Sequence, residues 1–272
     1  MQVDKWIASA TRTLADAGIK TARLDTLVLT ETVISKDRSW LLAHPTDEIE
    51  ESDIYQLNKL IIRRASHYPL AYITNHAYFY NNMFYVDEHV LIPRPESEAI
   101  IDALKTLSPN NKLVIIDVGT GSGALAITAK LLFPASHVIA LDINPECLKI
   151  AKKNSISLHA DVEFLQSDLL ESLPTILEAN SVVIANLPYV PTDFPINQSA
   201  DFEPRVAIFS GKDGLDLYVR LFKEVSSLAL KPGYIITESL STQHRPLQSI
   251  ARGAGYELQD TNDYVQLFSH RH

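Results

Sequence analysis

The sequence predicts an α/β protein, a doubly wound parallel sheet with a small bundle of helices ahead of it. Short apolar strands alternate with helical stretches from about residue 91 onward, the pattern of parallel strands joined by crossover helices. The first 75 residues instead carry their apolar side chains at helical spacing. A chain of 272 residues, 46% of them hydrophobic, supplies enough apolar surface for one large domain and a small companion.

In residues 1–75, Val3, Ile7, Ala10 and Leu14 fall on one helical face, and Gly18 reads as its C-terminal stop. Leu24, Leu27, Val28 and Ile34 mark a second helix. Beyond Pro45, the residues Ile54, Leu57, Ile61 and Ile62 mark a third that must end before Pro69, because a proline disfavours helical backbone in the residue before it. Residues 76–90 change character. Ala77-Tyr-Phe-Tyr and Met83-Phe-Tyr-Val flank Asn81-Asn82, and asparagine tolerates the left-handed backbone of a tight turn, so a β-hairpin linking two domains is expected. The sheet is expected to draw on Leu113–Asp117, Val138–Asp142, Val162–Leu165, Val182–Ala185 and Tyr234–Glu238. Tyr256–Gln259 and Tyr264–Phe268 stand too close for a helical crossover and should pair antiparallel at one edge. The expected domains are residues 1–75, helical; 76–90, the hairpin linker; and 91–272, the α/β domain.

Composition excludes several classes. Cys147 is the only cysteine, so neither an internal disulfide nor a Cys-based zinc site is expected, and a reducing cytoplasm is the natural compartment. No apolar run approaches the ~18 residues of a membrane span, and Met1-Gln-Val-Asp-Lys-Trp6 lacks the form of a signal peptide. The net charge is −9, and residues 76–272 hold 15 Lys/Arg against 23 Asp/Glu. That balance opposes a broad basic field for a phosphate backbone and favours a protein or small-molecule substrate.

The chemistry lies at strand ends. Asp117-Val-Gly-Thr-Gly-Ser-Gly123 follows the first sheet strand and opens a helix, and its glycines let backbone approach a ligand closely. The same loop fits a dinucleotide pattern through Gly119, Gly121 and Ala124, which keeps a nicotinamide dehydrogenase open. Asp142, ending the second strand, suits ribose hydroxyls in either reading; its alternative is an N-cap before Asn144-Pro-Glu. Asp168 and Leu169 follow the third strand, where an adenine edge would lie, or where Asp168 would cap a helix. The fourth strand runs into Asn186-Leu-Pro-Tyr189, which decides against hydride transfer. An amide or exocyclic amine nitrogen has a delocalised lone pair and attacks a methyl sulfonium poorly. Acceptors such as the Asn186 side-chain oxygen and the Leu187 carbonyl can hold its hydrogens, while Pro188 keeps Leu187 extended and Tyr189 offers a ring face.

Pro69-Leu-Ala-Tyr-Ile-Thr, Phe84-Tyr-Val-Asp-Glu, Val90-Leu-Ile-Pro-Arg-Pro-Glu-Ser-Glu98, the Asp117–Gly123 loop, Asp142, Asn186–Tyr189, Phe202-Glu-Pro-Arg and Gly211-Lys-Asp-Gly-Leu together resemble the HemK/PrmC family. The resemblance implies a Rossmann-like, S-adenosylmethionine-dependent methyltransferase sheet. It also implies methylation of N5 of the glutamine in the Gly-Gly-Gln motif of peptide-chain release factors. By it, Gly119, Thr120, Gly121, Ser122 and Gly123 pass along the methionine part of the cofactor, Asp142 holds the ribose, Asp168 and Leu169 flank adenine, and Asn186, Leu187, Pro188 and Tyr189 bind the glutamine. Arg94 and Glu96 shape the entrance or form surface ion pairs, and Glu203-Pro-Arg205 orders a loop over the substrate or is structural only. Residues 1–75 are expected to recognise the release factor, since a short glutamine-bearing loop lacks the area of a specific interface. A cytoplasmic monomer is expected, with no membrane, metal or direct nucleic-acid partner.

This sequence departs from the family pattern in three places: Leu187 where Asn-Pro-Pro-Tyr is usual, Asn75 where glycine is common, and Thr261-Asn-Asp-Tyr264 without the usual arginine. With Leu187, Asn186-Leu-Pro-Tyr189 also resembles the motif of ribosomal RNA adenine N6 dimethyltransferases, so an adenine N6-methyltransferase acting on RNA or DNA is the alternative, opposed by the acidity of the α/β half and by a helical domain that is N-terminal rather than C-terminal. A cofactor-binding regulator without catalysis is the third reading, opposed by intact Asn186 and Tyr189.

Overall fold

A computed structural model of the chain describes residues 1–107, 112–173, 177 and 180–271. It divides into two compact units, one of Met1–Asn75 with Ile196–Phe202, the other of His76–Pro195 with Glu203–His272.

The first unit holds α1 (Val3–Asp16), α2 (Ala22–Ile34), α3 (Arg38–Ala43), α4 (Glu51–Ala65) and α5 (Leu70–Thr74). Helix α1 buries Val3, Trp6, Ile7, Ala10 and Leu14 along one stripe. Gly18 ends it in the left-handed conformation (φ 81°), with Ile19 N–H bonded to Leu14 O. In α2 the apolar marker Leu24 is 47% exposed, and the buried face instead carries Asp25, Thr26 and Thr30 beside Leu27 and Leu29. Both threonines donate to carbonyls one turn back. Asp25 accepts Arg64 Nε of α4 at 2.6 Å, with both side chains at least nine-tenths buried. The inserted segment Ile196–Phe202 joins this unit through Arg64 Nη1 on Ser199 Oγ (3.4 Å) and an edge contact of Phe202 with Tyr68. Asn75 closes α5 at φ 56°, a backbone that asparagine tolerates best after glycine.

The second unit begins with a hairpin, β1 (His76–Phe79) and β2 (Asn82–Tyr85). Its two turn residues are Tyr80 and Asn81 (φ 48° and 63°), one position earlier than the sequence suggests, and Asn82 pairs with Phe79 inside the ladder. With both central residues left-handed this is the type I′ kind of two-residue turn, which suits the twist of the flanking strands. Tyr80 is held there by its amide on Glu98 Oε1 (2.7 Å) and its carbonyl on Asn82 Nδ2 (3.0 Å). Phe79 and Phe84 are buried in the core of this unit.

There follow α6 (Glu98–Leu107), β3 (Val114–Val118), α7 (Ala124–Leu132), β4 (His137–Asp142), α8 (Pro145–Ser157), β5 (Glu163–Gln166), β6 (Ser181–Ala185), α9 (Asp216–Ser227), β7 (Tyr234–Glu238), α10 (His244–Gly253), β8 (Tyr256–Asn262) and β9 (Val265–His270). The seven strands run in the order β5-β4-β3-β6-β7-β9-β8, parallel as far as β7 and antiparallel through β9 and β8. The expected edge pair is there, and β8 extends to Asn262, leaving Asp263-Tyr264 as the turn. Strands β3 and β6 are buried at every residue because helices cover both faces, which explains their unbroken apolar runs. One core joins Ile116 and Val118 to Tyr218, Phe222 and Phe268; the other joins Ile115 to Ile100, Leu104 and Ile127. Strand order reverses between β3 and β6, and at such a switch point the carboxyl ends of the strands open a crevice. Among the described residues no helix is long and apolar enough to cross a membrane.

Candidate active site

The site residues lie at the carboxyl ends of the five parallel strands, β3 to β7. The loop after β3 is drawn back onto β4, since the Gly119 and Thr120 amides both donate to Leu141 O at 2.9 Å. Gly121 N–H donates to Asp142 Oδ2 and Asn144 N–H to Oδ1, each at 2.8 Å. Asn144 itself caps α8 through Glu146 N–H (3.0 Å), so Asp142 is free of the capping role. Burial raises the Asp142 pKa, and the two amides oppose the shift.

Gly123 is left-handed (φ 83°) and a Cβ there would lie 2.9 Å from Ile127 and 3.0 Å from Ala151, so only glycine lets α7 and α8 close on the loop. Ser122 is buried, and its carbonyl accepts Asn154 Nδ2 at 2.9 Å; the same amide group exchanges hydrogen bonds with both backbone groups of Tyr85. Asp117 lies beneath. Its Oδ2 accepts Thr120 Oγ1 (2.6 Å) and Ala126 N–H (3.1 Å), whereas its Oδ1 is buried with no hydrogen-bond partner. Burial pushes its pKa up to about 7.

Asp168 forms an ion pair with Arg220 of α9 (2.9 Å) in a run of turns, not at a helix start. Leu169 is left-handed (φ 47°) and buried in the same core as Val118 and Leu187. Ile143, directly after Asp142, is 62% exposed.

The motif after β6 is held from behind. Asn186 Nδ2 donates to Ser97 Oγ (2.7 Å) and to Glu238 Oε2 (3.2 Å). Tyr189 donates its hydroxyl to Glu238 Oε1 (2.8 Å), and its carbonyl accepts Gln243 Nε2 (2.7 Å). Register explains the meeting: Ala185 pairs with Thr237 across β6 and β7, so Asn186 and Glu238 follow side by side. Leu187 is buried, and its Cδ2 would lie 3.1 Å from a Cβ on Gly119, so the leucine packs on the glycine loop.

The two remaining motifs join each other. Glu203, 5% exposed, accepts Ile92 N–H (3.0 Å) and is ion-paired with Arg94. Burial raises the pKa of both Tyr189 and Glu238, and the charge of the exposed Glu96 adds a smaller push in the same direction. Sequence reasoning missed Ser97, Asn154, Glu238 and Gln243. For Glu238 a signal existed, an acidic residue ending an apolar strand at the carboxyl edge of the sheet.

Residues 5–74 match the PrmC N-terminal domain and residues 109–268 a methyltransferase domain. The chain is 38% identical over 229 residues to the release factor glutamine methyltransferase of Koribacter versatilis, covering 83% of this chain and 81% of that one. It is 36% identical over 261 residues to the enzyme of the same name from Moorella thermoacetica, covering 94% and 91%. The chain belongs to the release factor glutamine methyltransferase family.

Solved structures agree on the fold. The hMettl16 catalytic domain in complex with an RNA hairpin superposes with a TM-score of 0.55 at 14% identity, over 81% of this chain and 82% of that one. The ribosomal RNA methyltransferase RsmC of Thermus thermophilus, solved with AdoMet and guanosine, gives 0.54 at 16% identity, over 72% and 50%. Within the release factor glutamine methyltransferase family, two departures of this member have a local reason: Asn75 supplies a left-handed helix end, and Leu187 fills the space against Gly119.

Proposed function

We propose that this chain transfers a methyl group from S-adenosylmethionine to the side-chain N5 of the glutamine in the Gly-Gly-Gln motif of peptide-chain release factors, as a cytoplasmic monomer. The observation that carries the reading is the tethering of Asn186. Its NH2 group is spent on Ser97 and Glu238, which turns Oδ1 away from them and keeps it as an acceptor for a substrate amide. Asn186 Oδ1 and the Leu187 carbonyl then take the two hydrogens of the glutamine NH2. That arrangement favours a pyramidal nitrogen, whose lone pair is available for in-line attack. The ring of Tyr189 stacks on the planar amide, and its orientation is fixed by Glu238.

The residues present fit the cofactor. Asp117 keeps an unpartnered buried oxygen, and with Asp142 it gives the loop an acidic lining suited to a group bearing an ammonium and a sulfonium. The Gly119–Gly123 backbone would hold the methionine part and Asp142 the ribose hydroxyls, with adenine between the exposed Ile143 and the Asp168-Leu169 turn. When bound, the cofactor supplies an electrophilic methyl group on sulfur. As N5 takes the methyl group, the methyl's bond to sulfur would break with the electron pair kept by sulfur, and one amide hydrogen of the glutamine would leave as a proton to solvent.

The helical unit is assigned to recognition of the release factor, because a short glutamine-bearing loop offers too little area for a specific protein interface. The test offers labelled methyl donor with a release factor, its Gln-substituted variant and total RNA. Label on the intact factor alone is expected. Label on RNA would instead favour adenine N6 chemistry.

A further inference from the structure

We infer that Glu238 is a positioning residue for methyl transfer, acting through Asn186 and Tyr189 together with Ser97; this deepens the glutamine-methyltransferase reading and rests on it. Three side chains converge on this carboxylate. Asn186 Nδ2 approaches Oε2 at 3.2 Å, the Tyr189 hydroxyl approaches Oε1 at 2.8 Å, and Ser97 bonds it as well while accepting Asn186 Nδ2 at 2.7 Å. Glu238 is 1% exposed, and these three partners are neutral. A buried carboxylate accepts hydrogen bonds and, while ionised, donates none. It therefore dictates which end of the Asn186 amide faces it, and the NH2 end must.

An asparagine with no such anchor presents either end to a substrate, and the wrong end would put a donor against the donor hydrogens of a glutamine NH2. The anchor removes that alternative and sets the Tyr189 ring at the same time. The carboxylate is itself well held. Its residue ends β7 beside β6, and the Tyr218 hydroxyl bonds to the carbonyls of both Ala185 and Glu238, the last residues of the two strands. Glu238 lies behind Asn186 and reaches the reaction only through side chains that touch the substrate.

Glu238→Gln presents an amide where a carboxylate stood and leaves the orientation of Asn186 undecided. Turnover on a release factor should fall on the order of thirtyfold while donor affinity by calorimetry changes less than about threefold. The discriminating measurement is a double-mutant cycle with Asn186→Ala. In that background Glu238→Gln should cost under about threefold, because there is no longer an amide to orient and the oxygen of the introduced amide can still accept the Tyr189 hydroxyl. Equal losses in both backgrounds, or normal turnover in Glu238→Gln, would overturn the inference while leaving the methyltransferase reading intact. Ser97→Ala removes the second anchor, and its bond to Glu238, while leaving the carboxylate itself in place; it should show the same coupling to Asn186, which keeps the test open if Glu238→Gln fails to fold. A wild-type protein that methylates no release factor would overturn the underlying reading, and this inference with it.

Discussion

Gly121 N–H donates to Asp142 Oδ2 at 2.8 Å, so the glycine loop after β3 and the acid ending β4 form one unit. A single carboxylate thus fixes the loop, and in the function proposed above its remaining lone pairs would take the ribose hydroxyls. Asp142→Ala should weaken S-adenosylmethionine binding by roughly 1.5 to 3 kcal/mol, the range for hydrogen bonds to a charged group, and should lower the melting temperature by orphaning the Gly121 and Asn144 amides. Calorimetry on the folded variant measures the first effect. Unchanged affinity would remove Asp142 from the ribose site.

Asn186→Ala should cut turnover on the order of a hundredfold or more and change donor affinity far less, because the lost acceptor acts on the glutamine during transfer. Single-turnover kinetics at saturating donor separate the two. Near-normal rates would sink the amide-holding mechanism.

The parts of this site that were legible in the sequence are contiguous, and the parts that were not depend on strand register. Asp117–Gly123, Asp142 and Asn186–Tyr189 each sit where an apolar strand stops, so local pattern and the switch-point rule place them together. Glu238 ends a strand in the same way, yet its partner Asn186 is 52 residues away and the pair exists only because Ala185 and Thr237 align. Arg94 and Glu203 were each singled out, and their pairing across 109 residues was not. Tyr80 takes a left-handed turn position against its own preference because Glu98 and Asn82 hold it there. In α2 the marker Leu27 is buried as expected and Leu24 is exposed, while the buried Asp25, paired with Arg64 of α4, could not be read from apolar spacing.

Stability without ligand should depend on the protonation of Asp117. Its folded pKa of about 7 lies above the ordinary value of 3.8, so between those limits the native state holds a proton that the unfolded chain has released. Stability therefore falls as pH rises from about 4 to about 7 and levels off above, a loss on the order of 4 kcal/mol from this group. Asp142 and Glu238, also raised by burial, act in the same direction. Asp117→Asn should flatten much of the decline seen in urea unfolding at pH 5 and pH 8. An unchanged slope would show that Asp117 does not carry it.

Gly214 has a φ of +80°, and a Cβ there would stand 2.0 Å from the Tyr189 carbonyl and 2.4 Å from Gln243 Nε2. The clash falls on the backbone of the substrate motif and on the side chain that holds it. Gly214→Ala should destabilise by more than about 2 kcal/mol, combining left-handed strain with displacement of Tyr189. Turnover should drop in whatever fraction remains folded. A variant with a wild-type melt and wild-type activity would show that this close approach is dispensable.

Removal of residues 1–75 tests whether the helical unit serves recognition alone. All donor-side and amide-holding motifs lie after position 91, which argues for retained donor affinity in a chain starting near residue 76 and lost kcat/KM on the intact release factor. The structure adds a second effect. Ile196–Phe202, which joins Pro195 to the buried Glu203 only a few residues beyond Tyr189, belongs to the helical unit and bonds there through Arg64 and Tyr68. Deletion strips that segment of its packing, so methylation of a short Gly-Gly-Gln peptide should also slow by about tenfold or more, with the loss in kcat as well as KM. The same coupling can be probed in the full chain with Arg64→Ala. That variant leaves Asp25 buried without its cation and should cost about 3 to 5 kcal/mol within the helical unit. A folded truncation, verified by thermal melt, that methylates the peptide at the full-length rate would show that Ile196–Phe202 needs no support. One that also methylates the intact factor normally would place recognition in the α/β unit.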